Sequence, residues 1–170
     1  MRSASRGIDG EPAVGRVSKH SAGILPYRWH QGTWQVLLAH PGGPFWARKD
    51  AGAWSVAKGE YLPPESPLAA ALREFEEETG QRLTGPFVPL QSVRLKSGKV
   101  IEAFATESDW DLSGFHSNLF EIVDAKGVAR QYPEVDRVEW FALETAAHKI
   151  HPGQLPFLAR LQDHLAAQAR

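Results

Sequence analysis

Between residues 73 and 80 the chain reads Arg73-Glu74-Phe75-Glu76-Glu77-Glu78-Thr79-Gly80, and the spacing of its acids points to chemistry. Glu74, Glu77 and Glu78 stand at i, i+3 and i+4, which puts them on one face of a helix. At roughly 100° per residue their directions fall within an arc of about 100°, beside the apolar stripe of the same helix rather than opposite it. Carboxylates so placed cannot all reach bulk water. Two like charges about 4 Å apart repel by roughly 4 kcal/mol at an effective dielectric of about 20. Divalent cations relieve that repulsion, and hard oxygen ligands at this spacing suit Mg²⁺ or Mn²⁺, which complete their shells with water and phosphate. Such ions neutralise phosphate charge, lower the pKa of a bound water and hold an attacking oxygen in line. Arg73, one turn from Glu77, is placed to orient it through a charge-assisted bond. On spacing alone a solvated acidic surface remains the alternative.

The helix that carries these acids has legible ends. Ser66 suits an N-cap, Pro67 a first helical position where its missing N–H costs nothing, and Gly80 a stop. Leu68, Ala71, Leu72 and Phe75 repeat at i, i+3, i+4 and i+7, one core-facing stripe. Upstream, Gly23 to Tyr27 and Trp34 to Ala39 are strand-like runs around a Gln31-Gly32 turn. His40 to Ala53 reads as a Pro/Gly-rich loop, and Trp54 to Ala57 as a strand ending at Lys58-Gly59-Glu60. Downstream, Phe87 to Leu95 and Val100 to Thr106 flank a second turn at Lys96 to Lys99, and Leu119 to Val123 and Val138 to Phe141 are further short strands. Glu144 to Ile150 and Leu155 to Ala167 read as helices. Interleaved strands and helices give an α+β class, a mixed sheet packed between helices.

The whole string from Gly59 to Gln81 resembles the Nudix box, G-x5-E-x7-R-E-U-x-E-E-x-G-U, where U is a bulky apolar residue. Gly59, Glu65, Arg73, Glu74, Phe75, Glu77, Glu78 and Gly80 match in type and register; Gln81 departs in the final apolar slot, with Leu83 a candidate to take over its packing. The resemblance implies a Nudix fold, an α/β/α sandwich, and hydrolysis of a nucleoside diphosphate linked to some moiety X. It implies that Glu74, Glu77 and Glu78, joined by the Lys58 carbonyl, bind Mg²⁺ or Mn²⁺, and that Arg73 and Glu65 position these groups. A base outside the box is usual in some members; Glu134, Glu121, Glu102 and Glu139 are the candidates here, with Glu134 favoured.

Composition bounds the rest. The 170 residues suit one domain, with Met1 to Lys19 expected to be a flexible tail and residues 20–170 the Nudix domain. There is no cysteine, which removes disulfides, thiolate metal sites and cysteine nucleophiles. Nineteen basic residues against 20 acidic ones leave no global field for nucleic acid or anionic membrane, so neither is an expected partner. No apolar run approaches a membrane span and no apolar signal-like region opens the chain, so a cytoplasmic location and a monomer or homodimer are expected.

Substrate hints are softer. Trp54 to Gly59 resembles the W-x-x-P-K-G entry of dinucleoside polyphosphate and diphosphoinositol polyphosphate hydrolases, with Ala57 in place of the proline. Lys58, Arg48, Lys49, Lys96 and Lys99 are candidates for phosphate and Trp46, Phe45 and Tyr132 for stacking a base, against the plainer reading of a packed loop and of lysines solvated at a turn. The expected substrate is a small nucleotide polyphosphate, dinucleoside polyphosphates ranking first and nucleoside triphosphates second. The alternatives are inositol pyrophosphates, capped RNA ends, an isomerase on the same fold, or a catalytically idle nucleotide sensor.

Overall fold

The structure, a computed structural model, describes residues 19–169, so all but the last residue of the expected tail lies outside the described residues. β1 (His20–His30) is the strand around which the rest is arranged. It turns at Gln31 and Gly32, whose φ angles of 51° and 83° are both left-handed, as a two-residue hairpin requires. β2 (Thr33–Pro41) then pairs antiparallel with the C-terminal half of β1, while β3 (Ala57–Glu60) pairs antiparallel with its N-terminal half. On its other side β1 pairs in parallel with β5 (Val100–Glu107), which forms an antiparallel hairpin with β4 (Val88–Arg94). β8 (Val135–Ala142) closes the sheet against β2, and β6 (Leu119–Val123) and β7 (Ala129–Pro133) form a separate two-stranded ribbon.

Three helices are described: α1 (Pro67–Thr79), α2 (Leu143–Lys149) and α3 (Leu155–Gln168). Alternation along β1 sends Leu25 and Tyr27 to one core and Ala22 and Ile24 to the other. The first core is closed by Phe157, Leu158, Leu161 and Leu165 of α3, the second by Ala70, Ala71 and Phe75 of α1. Helices on both faces of a mixed sheet make the expected α/β/α sandwich. Burying Phe75 contributes roughly 1.5–3 kcal/mol to docking α1.

Two sequence expectations shift. The strand expected at Trp54 to Ala57 is represented by isolated bridges from Trp54 to Ile150 and from Ser55 to Ala39, and the regular strand is β3. β7 has no counterpart among the elements that the sequence predicts. Both are explained by polar strand residues whose backbone, rather than side-chain alternation, makes the pairing.

Candidate active site

α1 starts and stops where its capping residues place it. Ser66 Oγ accepts from the Ala69 N–H at 3.2 Å, and Gly80, with φ 80°, donates its N–H to the Glu76 carbonyl at 2.7 Å. Gln81 donates its N–H to Thr79 Oγ1 at 3.2 Å, and Leu83 packs against the α1 core, as expected from the departure at the end of the motif. The apolar stripe docked on β1 turns Glu74, Glu77 and Glu78 toward β3. Together with Lys58, Gly59, Glu60, Asn118, Leu119 and Glu134 they line one cleft of about 690 Å³.

Arg73 organises the near wall. Its Nε and NH2 donate to the two oxygens of Glu65 at 2.8 and 2.9 Å, a bidentate fork. Its NH1 donates to Glu74 Oε2 at 2.8 Å, whereas Glu77 Oε2 lies at 3.5 Å. The arginine therefore anchors to Glu65 and holds Glu74, with Glu77 a looser contact than helix spacing suggests. The Arg73 guanidinium holds the Glu65 carboxyl below its usual range, and Glu65 in turn pushes the guanidinium up.

Deeper in the cleft Lys58 is the cation set against the acids. Burial, with the charges of Glu74 and Glu134, pushes the Glu78 carboxyl up to about 8. Burial also raises Glu74, against the pull of Arg73. Lys58 is lowered by burial and by Lys99. Gly59 has a spatial reason for lacking a side chain: a Cβ there would overlap the Glu74 carboxylate. Bare backbone at Gly59 thus faces Glu74, and the Lys58 backbone N–H donates to the Glu78 carboxylate. The carboxylate oxygens of this set outnumber the cations beside them, Lys58 and Arg73, and fit a hard divalent cation. Among the described residues no three His, Asp or Glu side chains already converge on one point. Glu74 leans instead on Arg73.

Of the four carboxylates weighed as a base, Glu134 lines the cleft. Glu121 lies on the exposed β6, Glu139 on β8 opposite Leu38, and Glu102 on β5 opposite Ala22. The backbone on either side holds Glu134 in place: its N–H donates to the Asn118 carbonyl at 2.8 Å and its carbonyl accepts from Gly42 at 3.0 Å. Gly42 must be glycine for this approach, since a Cβ would overlap the Pro133 carbonyl. Nearby, the buried His40 ring lies 2.8 Å from Asp136 Oδ1 and donates from Nε2 to the Lys49 carbonyl at 2.6 Å, tying the 42–53 loop to β8. Trp46, Arg48 and Lys49 sit on that loop and do not line the cleft. Trp46 packs partly against the α3 core, and the Lys49 ammonium lies 3.5 Å from the centre of the Phe45 ring. No local sequence pattern sets Asn118 apart, and Leu119 is legible in the sequence only as the start of a strand.

A family profile for the NUDIX domain matches residues 18–161. No curated protein matches the chain significantly. Solved structures resemble its fold. A Caenorhabditis elegans Ap4A hydrolase in a binary complex superposes with a TM-score of 0.61 at 19% identity, covering 86% of this chain and 98% of that one. The NUDIX domain of Shewanella oneidensis NrtR complexed with ADP ribose gives 0.63 at 15% identity, covering 93% and 95%. The Mycobacterium smegmatis Nudix hydrolase RenU gives 0.56 at 20% identity, covering 87% and 86%.

Proposed function

The chain belongs to the Nudix hydrolase family, and from that premise we propose that it is a divalent-metal-dependent pyrophosphohydrolase. Its substrate is a nucleoside diphosphate linked to a moiety X, with dinucleoside polyphosphates such as Ap4A first and nucleoside triphosphates second. The observation that carries this reading is the single cleft gathering Glu74, Glu77, Glu78 and Glu134 with Lys58 and the bare backbone of Gly59. Glu74, Glu77, Glu78 and the Lys58 carbonyl would hold Mg²⁺ or Mn²⁺, which when bound offsets phosphate charge and acidifies water. Arg73, forked onto Glu65, keeps Glu74 aimed into the cleft. Glu134, on the opposite wall, takes the proton of the attacking water, a role that asks only for hydrogen-bond reach to that water. Lys58, which lines the same cleft, would offset charge that develops on the reacting phosphates. Water adds to phosphorus, the P–O bond of the bridging oxygen breaks, and two phosphate-bearing products leave.

No helix among the described residues is long and apolar enough to cross a membrane, and we take the enzyme to be a cytoplasmic monomer or homodimer. The test is phosphate and nucleotide release from Ap4A, nucleoside triphosphates, ADP-ribose and an inositol pyrophosphate with Mg²⁺ or Mn²⁺. Metal-dependent cleavage of a nucleotide substrate is expected. Nucleotide binding without cleavage across the panel would replace the hydrolase reading with a sensor.

A further inference from the structure

The metal-facing cleft does not end at Glu60. A second cavity, of about 900 Å³, adjoins it, and Glu60 lines both. Three strand ends, far apart in sequence, are laced together at this junction. The Val100 N–H donates to the Lys19 carbonyl at 2.9 Å, and the Tyr61 N–H to the His20 carbonyl at 3.1 Å. The lacing brings the ammonium groups of Lys19 and Lys99 to 3.9 and 3.8 Å from the same oxygen, Glu60 Oε2. At those distances neither ammonium donates a hydrogen bond to the carboxylate, and two cations share one anion. Beyond this lip the cavity turns apolar, walled by Tyr61, Leu62 and Pro63, with the His20 ring edge-on to Tyr61 at 6.5 Å. Leu62 is 79% exposed, a large apolar side chain left in water at the rim. The remaining charges here are spoken for: Glu65 is bound by Arg73, and Glu102 acts on the Tyr61 phenol, which it and burial both raise.

Acid-lined cleft, lysine lip and apolar wall thus follow one another in space. Lysine acts on phosphate as a point charge needing no fixed geometry, and a flat ring against Tyr61 and Pro63 would cover surface that is now wet. We propose that the Lys19–Glu60–Lys99 lip and the Tyr61 cavity form a second subsite that takes the far end of an elongated substrate, a phosphate against the lysines and a planar ring beyond it. This rests on the hydrolase reading for the identity of the near end and narrows X to a group that is itself phosphate-linked and aromatic, as in a dinucleoside polyphosphate. A second cavity of this size is ample for a nucleoside.

The experiment is a calorimetric titration of a methylene-bridged diadenosine tetraphosphate, with Mg²⁺ present, and, separately, of Mn²⁺ alone. The proteins are wild type, Lys99→Arg and the double variant Lys19→Met/Lys99→Met. The double variant should bind the tetraphosphate about tenfold more weakly and Mn²⁺ within about twofold of wild type, while Lys99→Arg, which keeps the charge, stays near wild type. Tyr61→Ala should weaken the tetraphosphate and spare inorganic tripolyphosphate. Equal weakening of Mn²⁺ and tetraphosphate, or unchanged tetraphosphate affinity, would overturn the subsite. Turnover measured alongside separates the two ideas. Lysine-dependent binding without hydrolysis would keep the subsite and remove the hydrolase; hydrolysis indifferent to the lysines would do the reverse.

Discussion

Replacing Gly59 with alanine isolates the geometry of the acid cleft from the stability of the fold. The added Cβ would overlap the Glu74 carboxylate, and two carbons rest at about 3.5–4.0 Å, so the carboxylate must retreat by about 1 Å or more. It can do so, because the obstructing atoms are the free end of a side chain rather than backbone. The cost in stability is an off-rotamer side chain, about 0.5–1.5 kcal/mol, and the 2.8 Å bond from Arg73, about 1 kcal/mol. For a domain of this size 1 kcal/mol moves Tm by about 2–4 °C, so Tm should fall by less than about 10 °C. The effect on chemistry is larger. Ligand distances tolerate only about 0.2 Å, and misplacing a catalytic group by 1 Å costs about a hundredfold in rate. Gly59→Ala should therefore fold, melt cooperatively, bind Mn²⁺ more weakly and lose about a hundredfold in kcat/KM with Ap4A. Thermal melts, Mn²⁺ binding followed by electron paramagnetic resonance, and steady-state kinetics decide it. Near-normal kcat/KM in a folded Gly59→Ala protein would refute the facing of Gly59 and Glu74 as a working pair.

Other perturbations probe the remaining parts. Glu77→Gln should cut turnover by orders of magnitude with little change in Tm, since Glu77 is exposed and its removal opens no cavity; normal activity in the folded variant would remove it from the metal set. In metal-free protein the Glu78 carboxyl, pushed up to about 8 from an ordinary 4.5, holds its proton longer folded than unfolded. Its stabilising contribution is complete below the unfolded value and is lost as pH rises through about 8. Tm in EDTA should thus fall as pH rises from about 4.5 to about 8, and Mg²⁺ should restore it most at the alkaline end; a pH-independent Tm in EDTA would contradict the buried charge. Arg73→Lys keeps the charge but loses the fork onto Glu65, and should lower kcat by about 10–100-fold, read from initial rates. Unchanged rates would show that the arginine does not position Glu74.

The sequence was most legible where local chemistry fixes geometry. Ser66, Pro67 and Gly80 bound α1 as the structure has it, and the Gln31-Gly32 and Ser97-Gly98 turns set two hairpins. The acids on α1 share a face because helical spacing leaves them no choice. What could not be read depends on distant partners. β3 lies in Ala57–Glu60, a stretch that looks like a turn, because its backbone pairs with β1 and Gly59 makes room for Glu74. β7 has almost no apolar alternation, being exposed along most of its length. Nothing near Asn118 hints that its carbonyl would hold Glu134, and nothing near Lys19 or Lys99 hints that both would meet Glu60. Trp46, Arg48 and Lys49 stood out by residue type, yet residue type says nothing about which wall of the protein a loop will cover.

The parallel pairing of β1 with β5 joins His20 to Val100 across eighty positions of chain. Closing so long a loop precedes any reward from the contact, which slows folding relative to a protein built from neighbours. During synthesis, at about 5–20 residues per second, α1 is complete seconds before Trp110, whose ring meets Phe75 edge-on at 5.8 Å, exists to finish the core on that side. Phe75 is incompletely covered for that interval. Glu74, Glu76, Glu77 and Glu78 surround Phe75 with negative charge, the arrangement that keeps an exposed apolar segment from finding another copy of itself. The acids that line the cleft of the finished enzyme would keep nascent chains apart before it is finished.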